Sequence, residues 1–190
     1  MITGTILALD PGTQDLGWSV VAPHTGRVLE LGVVHQEPDA ELAKSTDRAA
    51  RVHVQAVLCR DLVQRYDVRA IAHEAASFNP RRFAMTAGLC MSIGALTGLA
   101  AALGIALYEL PPKRWQGAIL GREPGAKGKI DYDQVERRLI EFIAAGGGTA
   151  AEQLAAIPAG RRNHARDATG VGVFTALRPD EATRIGGPTL

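Results

Sequence analysis

From Thr3 to His35 the apolar residues come in short runs separated by turn chemistry. Thr3 to Leu9 predicts a central strand ending in Asp10, and Gly17 to Ala22 predicts its antiparallel neighbour. Pro23-His24-Thr25-Gly26 reads as a turn, and Arg27 to His35 alternates well enough for a third strand. The chain thus opens as a three-stranded meander. The period then changes. Leu42, Ala49, Val52, Ala56, Leu58, Leu62 and Val63 recur near helical spacing, with Arg48, Arg51, Arg60 and Asp61 between them. They predict a long amphipathic helix starting near Pro38-Asp39 and ending at Tyr66. Val68 to Ala72 predicts a short buried strand that ends at His73-Glu74.

Asn79-Pro80 reads as the start of a second helix, with Arg81 and Arg82 in its first turn and its end near Leu103. Its small residues suit close packing against a sheet or a second helix. Ile105 to Leu110 predicts a fifth strand, stopped by Pro111-Pro112. Lys113 to Lys129 reads as a loop with five basic residues and one acid. Helices are predicted at Tyr132 to Ala144, capped by Asp131 or Asp133 and ended by Gly146-Gly147-Gly148, at Ala150 to Ala156, and at Asn163 to Leu177. The order predicts one α/β domain over 1–178, with a mixed five-stranded sheet of three antiparallel then two parallel strands flanked by helices. The Gly- and Pro-rich residues 179–190 read as a frayed tail.

Composition narrows this only a little. The 190 residues suffice for a sizeable single core, and 46% hydrophobic with 22% charged content is ordinary for a folded soluble protein. The net charge of +1 rules out a polycation, so a nucleic-acid partner must be held by a local basic surface. Cys59 and Cys90 lie in apolar helical stretches without metal-ligand spacing, which suits buried thiols in a reducing compartment. No signal segment precedes the first strand. The apolar Leu89 to Leu110 stretch reads as a buried helix running into a strand, not a membrane span. The expected location is cytoplasmic, in association with the nucleoid.

Asp10 has two readings: a turn-former, since Asp-Pro-Gly is good turn chemistry, or a functional carboxylate delivered to the end of a strand. Glu74 also ends an apolar strand. His164 and Asp167 are three apart on the last helix and share a face. Oxygen ligands with one imidazole suit Mg²⁺ or Mn²⁺, and two such ions held by acids are the machinery of phosphodiester hydrolysis. Asp15 reads as turn chemistry, and His24, His35 and His53 read as surface residues. His73 points away from Glu74 in a regular strand. Trp18 reads as packing. Trp115 reads as packing or, in a basic loop, as a base-stacking residue.

Taken together, these residues resemble the RuvC-type Holliday junction resolvases of the ribonuclease H-like superfamily. Leu9 to Trp18 matches the opening motif Leu-Asp-Pro-Gly-Thr-x-x-x-Gly-Trp, and Glu74 matches the second acid. Lys113 to Lys129 followed by a helix resembles the basic loop, and His164-Ala165-Arg166-Asp167-Ala168 matches the terminal motif. The resemblance implies a ribonuclease H-like fold and a metal-dependent endonuclease that resolves four-way junctions by paired symmetric nicks. It implies that Asp10, Glu74, His164 and Asp167 hold two Mg²⁺ or Mn²⁺ ions, with His164 as ligand or proton carrier. Lys113, Arg114, Lys127 and Lys129, with Arg81 and Arg82, become candidate DNA contacts, and Phe78 a wedge or stacking residue at the junction centre. The implied partners are branched DNA, a second copy of the chain and, in the cellular form, a branch-migration motor. The helix from Arg81 to Leu103 is the candidate dimer face. The alternatives are a broader branched-DNA or flap nuclease of phage type, a RuvX-like RNA-processing nuclease, an actin-like phosphotransferase, and a module that binds branched DNA without cutting it. The phosphotransferase needs a duplicated domain, for which the chain has no room. The RuvX-like class lacks the long helices around the fourth strand and the Glu at its end.

Overall fold

Near-continuous apolar runs let the central strands bury both faces, and the chain folds accordingly into three layers. A computed structural model describes residues 2–76, 83–122, 128–145 and 149–187. Its elements in chain order are β1 (Thr5–Asp10), β2 (Asp15–Val21), β3 (Val28–His35), α1 (Lys44–Tyr66), β4 (Val68–Glu74), α2 (Phe83–Leu103), β5 (Ala106–Leu110), α3 (Pro112–Ile119), α4 (Tyr132–Ala145), α5 (Ala150–Ala156), α6 (Arg162–Leu177) and β6 (Thr183–Gly186). The strands form one sheet in the order β3-β2-β1-β4-β5-β6. The β1–β4 and β4–β5 pairs are parallel, and the other pairs are antiparallel.

One sheet face presents Ile6, Ala8, Ala70, Ala72, Tyr108 and Leu110 to Trp115, Leu139, Val171 and Phe174 of α3, α4 and α6. The other presents Leu7, Leu9, Ile71 and Leu107 to Cys59 and Leu62 of α1 and to Leu96 and Ala100 of α2. Each large apolar side chain so buried contributes about 1.5–3 kcal/mol. A smaller cluster joins Val28 and Leu31 of β3 to Ile143, Leu154 and Val173.

The structure departs from the sequence reading in five places. First, α1 begins at Lys44, not near Pro38. The Asp39 carboxylate accepts from Glu41 N at 2.8 Å, and the Asp47 carboxylate accepts from Asp39 N at 3.0 Å, so this segment is held in turns. Second, Arg51 is not on the outer face of α1 but buried. Third, Pro112 does not merely stop β5. It occupies the first turn of α3, where its fixed φ and missing N–H cost nothing. Fourth, the sheet has a sixth strand, because residues 183–186, read as part of a tail, pair antiparallel with β5. Fifth, Cys59 is buried but Cys90 is exposed. By length and composition alone, residues 86–103 of α2 could cross a membrane, yet only 28% of that window is buried within the chain. The stretch read as a buried helix is therefore largely uncovered.

The helix that matters most for the site, α6, lies directly on the sheet. Gly172 permits this: a Cβ there would stand 2.6 Å from Val21 Cγ2 and 2.9 Å from Ala8 Cβ. Gly172→Ala is expected to destabilise the fold by about 1–3 kcal/mol despite alanine's better helix propensity. Thermal denaturation should register this as a fall of about 2–4 °C for each kcal/mol. An unchanged midpoint would mean that α6 is not seated this closely.

Candidate active site

β1, β4 and β5 run parallel, so their C-terminal ends share one edge of the sheet. Asp10 is the last residue of β1 and Glu74 the last of β4. Side chains alternate along a strand. Asp10 therefore continues the Ile6–Ala8 row and Glu74 the Ala70–Ala72 row, both on the face that α6 covers. Leu9 pairs with His73, so one step further brings Asp10 and Glu74 together on neighbouring strands. His73 points to the opposite face, as its position predicts. It is fully buried, with Nδ1 2.9 Å from the Glu74 carbonyl oxygen.

The first turns of α6 close over this edge. Gly17, opposite Asp10 in the β1–β2 pair, sits against the His164 backbone, and any side chain there would collide with it. The glycine of the opening motif is thus what lets α6 reach Asp10. His164 Nδ1 lies 2.6 Å from Asp10 Oδ2. Asp167, one turn further along α6, is half-buried on the same side. Arg166 pairs with Glu136 of α4, which ties this turn to the neighbouring helix.

The electrostatics show that these groups share one environment. Burial, then the charges of Asp10 and Asp167, push the Glu74 carboxyl up to about 8, opposed only by the Trp115 indole. Burial and then Asp10 push Asp167 up to about 7, against the pull of His164 and Arg166. The bond to Asp10 raises His164, with burial working against it. Carboxyls so placed cannot all ionise near neutrality without a compensating cation.

No family model and no curated protein matches the sequence. The fold does have solved counterparts. Thermus thermophilus RuvC in complex with a Holliday junction substrate is similar with a TM-score of 0.70 and 22% identity, over 96% of this chain and 99% of that one. A second Thermus thermophilus RuvC structure gives 0.66 and 21%, over 95% and 99%. The yeast mitochondrial Holliday junction resolvase gives 0.62 and 13%, over 90% and 77%. The chain has the RuvC fold. The mixed sheet expected from the order of strands and helices is present, extended by β6.

On this fold the four residues singled out at strand ends and on the last helix lie at one edge of the sheet, with Asp10 and His164 in direct contact. The donor set fits a hard divalent cation, being carboxylates with one imidazole in a pocket whose acids repel one another. Among the described residues no three His, Cys, Asp or Glu side chains are grouped closely enough to hold a metal ion, so the site would have to draw together around one. The structure gives the basic candidates less in common. Lys113 and Arg114 are exposed on α3, a helix rather than a loop, which starts just past the end of β5 and hence at the site's edge of the sheet. Arg114 lies 3.8 Å from Glu181. Lys129 is exposed. Phe78, Arg81, Arg82 and Lys127 lie outside the described residues.

Trp115 resolves to packing, since it is fully buried and no base can stack on it. Its ring lies against α6 at Gly170, where a Cβ would collide with it. Its buried Nε1 has no formed hydrogen bond, yet it lies close enough to Glu74 to favour the ionised carboxylate. Sequence reasoning also missed a polar cluster beside the site. His35 joins Asp15 at 2.8 Å and Glu37 at 2.7 Å, and Arg161 lies 3.6 Å from Asp15. The bonds to Glu37 and Asp15 raise His35. Its members come from β2, β3, the segment after β3 and the turn before α6, so no local spacing announces it.

The raised carboxyls make a pH prediction for the metal-free protein. Glu74 moves from 4.5 in the unfolded chain to about 8 in the fold. Its neutral form therefore belongs to the fold, and the stability it permits is complete below about 4.5 and lost as pH rises through about 8. Glu74→Gln cannot ionise. In EDTA its denaturation midpoint should match wild type near pH 4.5 and exceed it by several degrees at pH 8–9. A difference that does not grow with pH would refute the shift.

Proposed function

We propose that the chain is a metal-dependent, structure-selective DNA endonuclease that resolves four-way junctions by paired nicks. The observation that carries this reading is the meeting of Asp10, Glu74, Asp167 and His164 at one edge of a RuvC-fold sheet, with two of the acids pushed far above their ordinary range. Asp10, Glu74 and Asp167, with His164, are the residues that would hold Mg²⁺ or Mn²⁺. When bound, a pair of such ions supplies an activated water and charge stabilisation at the leaving oxygen.

The chain's own residues supply the rest. The bond to Asp10 raises His164 above its ordinary value, which suits a role as proton carrier beside Asp10 as well as that of a ligand. Trp115, wedged against α6, brings its indole near Glu74, where it partly offsets the rise that burial and the neighbouring acids impose. Lys113, Arg114 and Lys129 are exposed and available to phosphates, consistent with recognition by local charge in a chain of net charge +1.

Symmetric cutting of two strands needs two sites, and α2 supports a dimer. It carries no charged residue from Phe83 to Leu103, while Cys90, Met91, Gly94 and Gly98 on its outer side are exposed. A helix that faces water normally carries charge there. The small residues suit close approach by a second copy, and Gly98→Glu is expected to convert a dimer to monomer in sedimentation velocity.

The reading is tested with synthetic four-way junctions, splayed arms and flaps in Mg²⁺ or Mn²⁺. Symmetric paired nicks on the junction, reduced about 100-fold or more in Asp10→Asn, are expected. Junction binding without cleavage in either metal would refute the enzymatic claim. Equal cutting of flaps and splayed arms would replace junction resolution with a general branch nuclease.

A further inference from the structure

Asp10 is held from the α6 side by His164, but the loop that follows it is held from the opposite side of the sheet. Residues 11–14 connect β1 to β2 and expose the Gly12 and Thr13 carbonyls to α1 and α2. Gln55 Nε2 donates to Gly12 O at 2.8 Å, and the Arg51 guanidinium donates to Thr13 O at 2.8 Å. Ser92 Oγ of α2 lies 3.4 Å from Gly12 O. Gly88, one turn earlier on α2, packs against the Thr13 methyl and has no room for a Cβ.

Arg51 is fixed in turn. Asp47 takes its Nη2 at 2.6 Å and its Nε at 3.2 Å, and also accepts from Asp39 N at 3.0 Å. Those bonds, that of Asp39 first and that of Arg51 next, hold the Asp47 carboxyl below its ordinary range. Asp47, Arg51, Gln55 and Ser92 are 6%, 8%, 2% and 2% exposed. Buried ion pairs are poor sources of net stability, because desolvation offsets their attraction, and apolar residues of the same size do as well. Yet here a charge pair and an amide occupy one continuous inward stripe of α1, and each points at a backbone carbonyl within three residues of Asp10.

We propose that Arg51 and Gln55 are positioning residues that set the Asp10 carboxylate for metal binding, through the Thr13 and Gly12 carbonyls. The proposal rests on the nuclease reading above. The mechanism is orientation. Both bonds fix the backbone of a short loop whose first peptide carries the ligand, so loss of either lets the Asp10 end of β1 move relative to Glu74. Supporting groups of this kind commonly change metal affinity by about 10–100-fold when removed.

The test is Gln55→Leu, which removes the donor at similar volume and leaves no charge unpaired, together with Arg51→Lys, which keeps the charge but not the fork. Arg51→Met would strand Asp47 and is avoided. Mn²⁺ binding is measured by calorimetry without DNA, alongside the denaturation midpoint in EDTA, junction binding in EDTA, and kcat and KM for junction cleavage. Gln55→Leu is expected to weaken Mn²⁺ binding about 10-fold and to lower kcat. Junction affinity in EDTA and KM should stay within about twofold. Arg51→Lys should fall between this variant and wild type. A lower midpoint with unchanged Mn²⁺ affinity would make these residues merely structural and overturn the proposal. If wild type binds Mn²⁺ no better than Asp10→Asn, the nuclease reading fails and takes the proposal with it. Wild-type binding that Gln55→Leu leaves intact overturns the positioning role alone.

Discussion

The contact between Asp10 and His164, at 2.6 Å, joins the end of the first strand to the start of the last helix across most of the chain. It exists only because α6 can lie flat on the sheet. Gly17 leaves space for the His164 backbone, and Gly172 leaves space over Ala8 and Val21. The small side chains of Ala8, Ala70, Ala72 and Ser19 on this face are the other half of the same fit. Larger residues at these positions would lift α6 and separate its His and Asp from the strand ends. The packing of a helix on a sheet is therefore also what assembles the site.

That assembly carries an electrostatic cost. The acids are brought near one another in partial burial, and Glu74 and Asp167 respond by holding protons up to about 8 and about 7. A site built for stability would not place carboxyls so. The arrangement makes sense if a cation enters, because its charge reverses the balance and favours ionisation of every acid around it.

The opening loop is where contacts from the two helical layers meet. α6 reaches Asp10 from one face, while α1 and α2 reach the Gly12 and Thr13 carbonyls from the other. α2 has two roles in this arrangement. Its inner side touches the loop at Gly88 and Ser92, and its outer side is apolar, uncharged and uncovered. A second copy of the chain seated on that outer side would lie across α2 from this loop.

The opening motif, the strand-end Glu74 and the His164–Asp167 spacing were legible in the sequence because each is a local pattern. A carboxylate closing an apolar run, and two polar residues three apart on a helix, are properties of neighbours along the chain. So were the order of five strands and the mixed sheet. The sixth strand was not legible, since Thr183–Gly186 is too short and exposed to carry a pattern and gains its hydrogen bonds from β5. The α3 helix was hidden by a proline pair that reads equally as a stop or a start. Trp115 became core, and not a stacking residue, because α6 supplies a glycine against which its ring rests. Arg51 read as one of the charged residues between the apolar positions of the helix, and Gln55 carried no signal. Only the tertiary structure turned them inward, because carbonyls left over by a loop forty residues earlier needed donors, and a buried carbonyl is satisfied by whichever donor the fold brings to it. The sequence by itself thus determined which groups could do chemistry. The fold decided which of them meet, because distance in space is set by packing and not by position along the chain.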